Sequence, residues 1–139
     1  MRLCKPVVWS MTMKTVADAN KMTFEILNNY CLSHIGAIKD YPFDQTTAVY
    51  KVGNKIFALI DEDSHPPRIN LKCDPYYARE LRELYQSVIA GYHMNKKHWN
   101  TVICEGEVDD TMLFEWIDDS YDLVFASLSK KLQNQIYNS

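Results

Sequence analysis

Residues 91–102, GYHMNKKHWNTV, gather two histidines, two lysines, two aromatic rings and two asparagines without a single carboxylate. Three chemistries use such residues: metal ligation, proton transfer and contact with phosphate. A metal site needs three or four donors converging at about 2.0–2.3 Å. His93 and His98 are five residues apart, and the nearest thiol, Cys104, would stand about 20 Å from His98 along an extended strand. Proton transfer needs a carboxylate or nucleophile beside the imidazole, and the run has none. No metal, cofactor or catalytic role is therefore expected.

Two readings of the run remain, and they are compatible. Trp99 in an aromatic-rich hairpin is expected in the core, while Asn95, His93 and His98 can satisfy backbone groups where the chain reverses. Lys96 and Lys97 then sit at the tip, where long cations can reach phosphate.

Other cations extend this pattern. Lys51 and Lys55 flank a Gly53-Asn54 link, and strict alternation puts Arg68, Asn70 and Lys72 on the outward side of RINLKC. Residues 45–104 carry eight Lys/Arg against six Asp/Glu, whereas residues 105–122 carry eight acids and no base. A net charge of -3 thus conceals a polarised molecule. The expected nucleic-acid contacts are Lys51, Lys55, Arg68, Lys72, His93, Asn95, Lys96, Lys97 and His98, phosphate first and bases second. The acidic DEDSH turn at 61–65, followed by two prolines, reads as a solvated loop.

The scaffold holding these residues is compact by composition. A chain of 139 residues, 47% hydrophobic and 24% charged, fits one globular domain that buries its core without cross-links. Cys4, Cys31, Cys73 and Cys104 are widely scattered, as reduced thiols of a cytoplasmic protein would be. The apolar PVVW near the start is shorter than a signal-peptide core, and no stretch is long enough to span a bilayer. Nothing matches a nucleotide-loop, serine-elbow or zinc-helix motif, so an enzyme is not expected.

Periodicity supplies the elements. TFEILNNYCLSHIG places Ile26, Leu27, Tyr30, Cys31 and His34 at helical spacing before Gly36. TTAVYKV and KIFALID form a hairpin around Gly53-Asn54, and RINLKC adds a third strand. Asp74 as N-cap and Pro75 at the first position open a second helix, with Tyr77, Leu81, Leu84 and Val88 assigned to one face. A further hairpin is expected from about Ile89–His93 and Trp99–Glu105, with its tip at 94–97. A C-terminal helix follows, with a break expected near Asp119. The order α-β-β-β-α-β-β-α describes an α+β, two-layer domain with a single antiparallel five-stranded sheet and helices on one face. Residues 1–21 are set apart as an N-terminal extension, and 22–139 as the domain.

VYKVGNKIFALI, PPRINLKCDPYYARELRE, GYHMNKKHWNTV and DDSYDLVFASLSKKL resemble, in order, the signature blocks of the MmcQ/YjbR family of small bacterial proteins. The resemblance runs from about Met22 to Leu132. It implies a secretion-chaperone-like α+β fold and a DNA-binding module, its hairpins being similar to the double wing of a phage transcription factor. Asp44 stands where the family pattern has glycine, and about 20 residues precede the usual start.

Two functions from different classes follow as expectations. One is a non-enzymatic module that binds double-stranded DNA through lysine-bearing hairpin wings. The other is a protein-interaction or chaperone-like adaptor without nucleic acid, marked by an exposed apolar patch. Either is expected to be a monomer or weak homodimer with no membrane partner.

Overall fold

The structure, a computed structural model, describes residues 21–91 and 94–139. Helix α1 (Phe24–Leu32) starts where the Thr23 hydroxyl accepts the Ile26 amide at 3.2 Å. It buries Leu27 and Cys31 completely, whereas Ile26, expected on the same face, is exposed. The expected extension, apart from Lys21, lies outside the described residues.

A six-stranded antiparallel sheet follows, not the five strands expected. The strands are β1 (Ile38–Asp40), β2 (Thr47–Val52), β3 (Lys55–Asp61), β4 (Arg68–Lys72), β5 (Val88–Ala90) and β6 (Trp99–Ile103). Their spatial order is β1-β2-β3-β4-β6-β5. The additional strand, β1, has only three residues, all exposed, so it carries no alternation of burial that a sequence pattern could reveal. Gly53 and Asn54 both take positive φ, +58° and +71°, the geometry of the tight hairpin turn whose twist matches its strands. Phe57 is an extra residue in β3, because the register steps from Tyr50↔Ala58 to Lys51↔Ile56. The bulge points Phe57 as well as Ala58 into the core.

Helix α2 (Pro75–Leu84) is capped by Asp74, whose carboxylate accepts the Tyr77 amide at 3.2 Å. Its buried face is Ala78 and Leu81; Tyr77 and Leu84 are exposed, and Val88 belongs to β5. Of the expected stripe Leu81 is buried, while Ala78 and Tyr85 take the places given to Tyr77 and Leu84.

Helix α3 runs unbroken from Asp110 to Ala126, contrary to the break expected near Asp119. The helix continues because Trp116, Ile117, Ser120, Tyr121 and Val124 form one buried stripe through that point. The break comes later: the Ser127 hydroxyl returns to the Val124 carbonyl at 2.6 Å, and the Ser129 hydroxyl caps α4 (Lys130–Tyr137) at the Leu132 amide.

Leu27, Cys31, Leu81, Leu113, Ile117 and Val124 pack with Tyr50, Phe57, Ile60, Ile69 and Val102 in one core, and Leu132 and Ile136 of α4 join its edge. The helices of the described residues thus cover one face of the sheet. Ser120, fully buried, ties the layers: its hydroxyl donates to the Phe57 carbonyl at 2.6 Å and accepts the Lys72 amide at 2.8 Å.

On the opposite face Val49, Leu59 and Trp99 form a second cluster, 0–7% exposed, with Ile56 and Met94 packed against it.

Candidate nucleic-acid interface

Antiparallel register decides which cations meet. β2 and β4 run toward the Gly53-Asn54 turn, and β3 and β6 run away from it. The turn, the last residue of β4 and the loop entering β6 therefore share one end of the sheet. Lys51, Lys55, Lys72, Lys96 and Lys97 all belong to that end.

The GYHMNKKHWNTV run is built as a corner. Gly91 lies so close to Trp99 that a Cβ there would approach its carbonyl oxygen to 2.9 Å, and the two share a hydrogen bond of 2.8 Å. The Asn95 side chain accepts the Lys97 amide at 2.8 Å, and its carbonyl accepts the His98 and Trp99 amides at 3.2 and 3.0 Å. The His98 carbonyl receives the Cys73 amide at 2.7 Å, extending the β4–β6 ladder. β5 ends at Ala90, so the strand expected to reach His93 is shorter, and Tyr92 and His93 lie outside the described residues.

Arg82 of α2 holds this corner from behind. Its guanidinium donates to the Lys96 carbonyl at 3.1 Å and to the Asn100 side chain at 2.7 Å, and Asn100 in turn donates to the Ala78 carbonyl at 3.2 Å. Asn95 thus turns the chain, Arg82 anchors it, and Lys96 and Lys97 stand exposed at its tip.

The other lysines are held differently. Lys51 is half-buried and 3.7 Å from the Asp40 carboxylate. Lys55 is exposed and reaches the Ser127 hydroxyl at 3.2 Å, which brings the start of α4 beside the hairpin turn. Gly53 confirms that proximity, since a Cβ there would press on Leu128 and Leu132. Lys130 and Lys131, exposed on the first turn of α4, therefore join this end. Sequence reasoning missed them because they lie 75 and 76 positions from Lys55 in the chain; the Lys55–Ser127 bond and the packing of Gly53 on Leu128 and Leu132 reveal the juxtaposition. Acids are present here too: Asp74 caps α2, and Asp119 of α3 has its carboxyl raised by burial and then by Asp122, Asp118 and Glu115.

Arg68 is separated from the group. It opens β4 at the far end, paired with Ile103. At this end lie Asp61 closing β3, Glu62 and Asp63 in the β3–β4 loop, Asp44 before β2, Glu105, Glu107 and Asp109 between β6 and α3, and Asp110 opening α3. Several of these carboxylates organise loops. Asp44 accepts the Thr46 and Thr47 amides at 3.0 and 2.7 Å, which holds it below the usual carboxylate range. Glu107 is lowered likewise by the Ser87 hydroxyl and amide, at 2.6 and 2.7 Å. The lysines thus gather at one end of the strands, and these loop carboxylates at the other.

Comparison with known proteins supports this architecture. The YjbR family model matches residues 32–123. The chain is 41% identical over 96 residues to the uncharacterised protein YbdF of Escherichia coli O157:H7, covering 69% of this chain and 79% of that protein. It is 33% identical over 100 residues to the uncharacterised protein YjbR of Escherichia coli strain K12, covering 72% and 85%. Among solved structures, the Deinococcus radiodurans protein DR2400, of domain family DUF419, superposes with a TM-score of 0.80 at 36% identity, covering 84% of this chain and 89% of that one. The ordered strand, helix and corner blocks and these matches agree, and the chain belongs to the YjbR family.

Proposed function

We propose that this protein is a non-enzymatic module that binds double-stranded DNA through phosphate contacts from the lysine-rich end of its sheet. The supporting observation is the convergence of Lys51, Lys55, Lys72, Lys96 and Lys97 at one end, with Lys130 and Lys131 beside them, while most carboxylates of the loops lie at the other. The hairpin turn at 53–54 and the corner at 94–98 are the two projections that would carry lysines to the duplex. Arg68 is better assigned outside the interface, and Asn95 acts through the turn it builds.

The adaptor reading calls for an open apolar patch. On the helix-free face Val49, Leu59 and Trp99 are buried and offer none, whereas Ile35, Ile38 and Phe43 around β1 and Tyr76 and Leu84 of α2 stand exposed. No helix of the described residues is long and apolar enough to cross a membrane. The module is proposed to work as a monomer or weak homodimer.

Fluorescence anisotropy of a labelled random duplex across a salt series tests the proposal. Binding should weaken with log salt at about -0.9 per phosphate contact, and Lys96→Ala/Lys97→Ala should flatten the slope by up to about 2. Absence of binding by folded protein at low salt would overturn it.

A further inference from the structure

The acidic end of the molecule contains a cleft of about 760 Å³, within the size range of small-molecule sites. Its floor is apolar: Met22, Pro67, Val102, Val108 and Leu113 are all buried. Its rim is polar, with Glu105 and Asp110 on one side and Ser64 and His65 on the β3–β4 loop. Four separate segments converge there: the start of α1, the β3–β4 loop, the exit of β6 and the first turn of α3.

We propose that this cleft binds a small organic cation, an ammonium group on a compact apolar or aromatic body. The apolar floor would take the body. The sign of the head group follows from the rim, where the exposed Glu105 and Asp110 carry the negative charge, Glu105 also accepting the Ser87 hydroxyl at 3.1 Å, and a cleft edged by an excess of one sign focuses its field. Lys21 lines the described rim and Arg68 follows Pro67 at this end; against them stand Glu105, Glu107, Asp109 and Asp110, so acids remain in excess. Burial and Asp109 both raise the Asp110 carboxyl, and a neighbouring ammonium would favour its charged form.

The binding is non-covalent. Cys104 also lines the cleft, but burial pushes its thiol up to about 12 and its Sγ donates to the Val102 carbonyl at 3.7 Å. It presents a soft wall and no nucleophile.

The test compares phenethylamine with phenylpropionate, which share a body and differ in the sign of the head, by amide chemical-shift titration of the full chain. Phenethylamine should bind at least about fivefold tighter, with shifts concentrated at Ser64, Gly106, Val108 and Leu113. Glu105→Gln/Asp110→Asn should weaken it by about tenfold, whereas Glu80→Gln, exposed on α2 and outside the lining, should change it by less than about twofold. Val108→Phe, which fills the floor, should weaken the amine while the amide spectrum elsewhere stays that of the folded chain. Equal affinity for the two compounds, shifts away from the cleft, or an unaffected Glu105→Gln/Asp110→Asn variant would each overturn the proposal.

Discussion

The two ends of this sheet are made by the same strands and differ in how their charges are held. At the basic end Lys55, Lys96 and Lys97 project from turns whose backbone is fastened by other residues: Asn95 and Arg82 at one corner, and Gly53 under Leu128 at the other. At the acidic end the carboxylates fasten the turns themselves, Asp44 to Thr46 and Thr47, and Glu107 to Ser87. A charge that builds its own loop is committed to structure. One that is carried on a loop built by neighbours remains available for a partner.

The largest expected effect tests that contrast directly. Lys72→Glu/Lys96→Glu/Lys97→Glu should lower duplex affinity by about a hundredfold at low salt, while Arg68→Glu at the opposite end should change it by less than about threefold, both read by anisotropy. Equal losses would mean that only total charge matters.

Next in size is the pin beneath the basic end. Ser120→Ala removes the hydroxyl shared by the Phe57 carbonyl and Lys72 amide, leaving buried backbone groups unpaired, and should cost about 2–3 kcal/mol in urea unfolding. Gly53→Ala should cost about 1–2 kcal/mol, because its φ of +58° disfavours a side chain and the new Cβ would meet Leu128. That substitution should also weaken duplex binding, since it displaces the start of α4 from the hairpin.

The smallest effect belongs to the acidic end. Because Ser87 lowers the Glu107 carboxyl, the stabilisation is complete above the ordinary carboxylate range and is lost as pH falls through the depressed value. Glu107→Gln should therefore narrow the difference in unfolding midpoint between neutral and acidic buffer. Its DNA affinity should stay within about twofold of the parent's.

Much of the fold was legible because it rests on local rules. The Gly53-Asn54 turn, the Asp74-Pro75 start of α2 and the alternation of Arg68, Asn70 and Lys72 are each specified within a few residues, by backbone angles, a cap or the strand period. The failures are of a different kind. β1 is too short for its periodicity to register, and it exists through pairing with β2. Asp119 and Asp122 look like caps in isolation, but the buried stripe of α3 carries the helix past them, so packing overrides the local signal. The Trp99 corner was anticipated by residue type, whereas its anchor, Arg82, lies 17 positions earlier on another element.

The same division holds for the candidate interface. By itself the sequence determined that this chain has the YjbR blocks in order, that the 53–54 and 94–97 segments are turns, and that lysines flank the first and sit in the second. Only the tertiary structure decided that these lysines share an end, that Lys130 and Lys131 join them, that Arg68 does not, and that four segments enclose a cleft among the acids. The physical reason is range. Turns and caps are fixed by dihedral preferences and hydrogen bonds spanning three or four residues, whereas the meeting of charges depends on strand register and layer packing between residues dozens of positions apart.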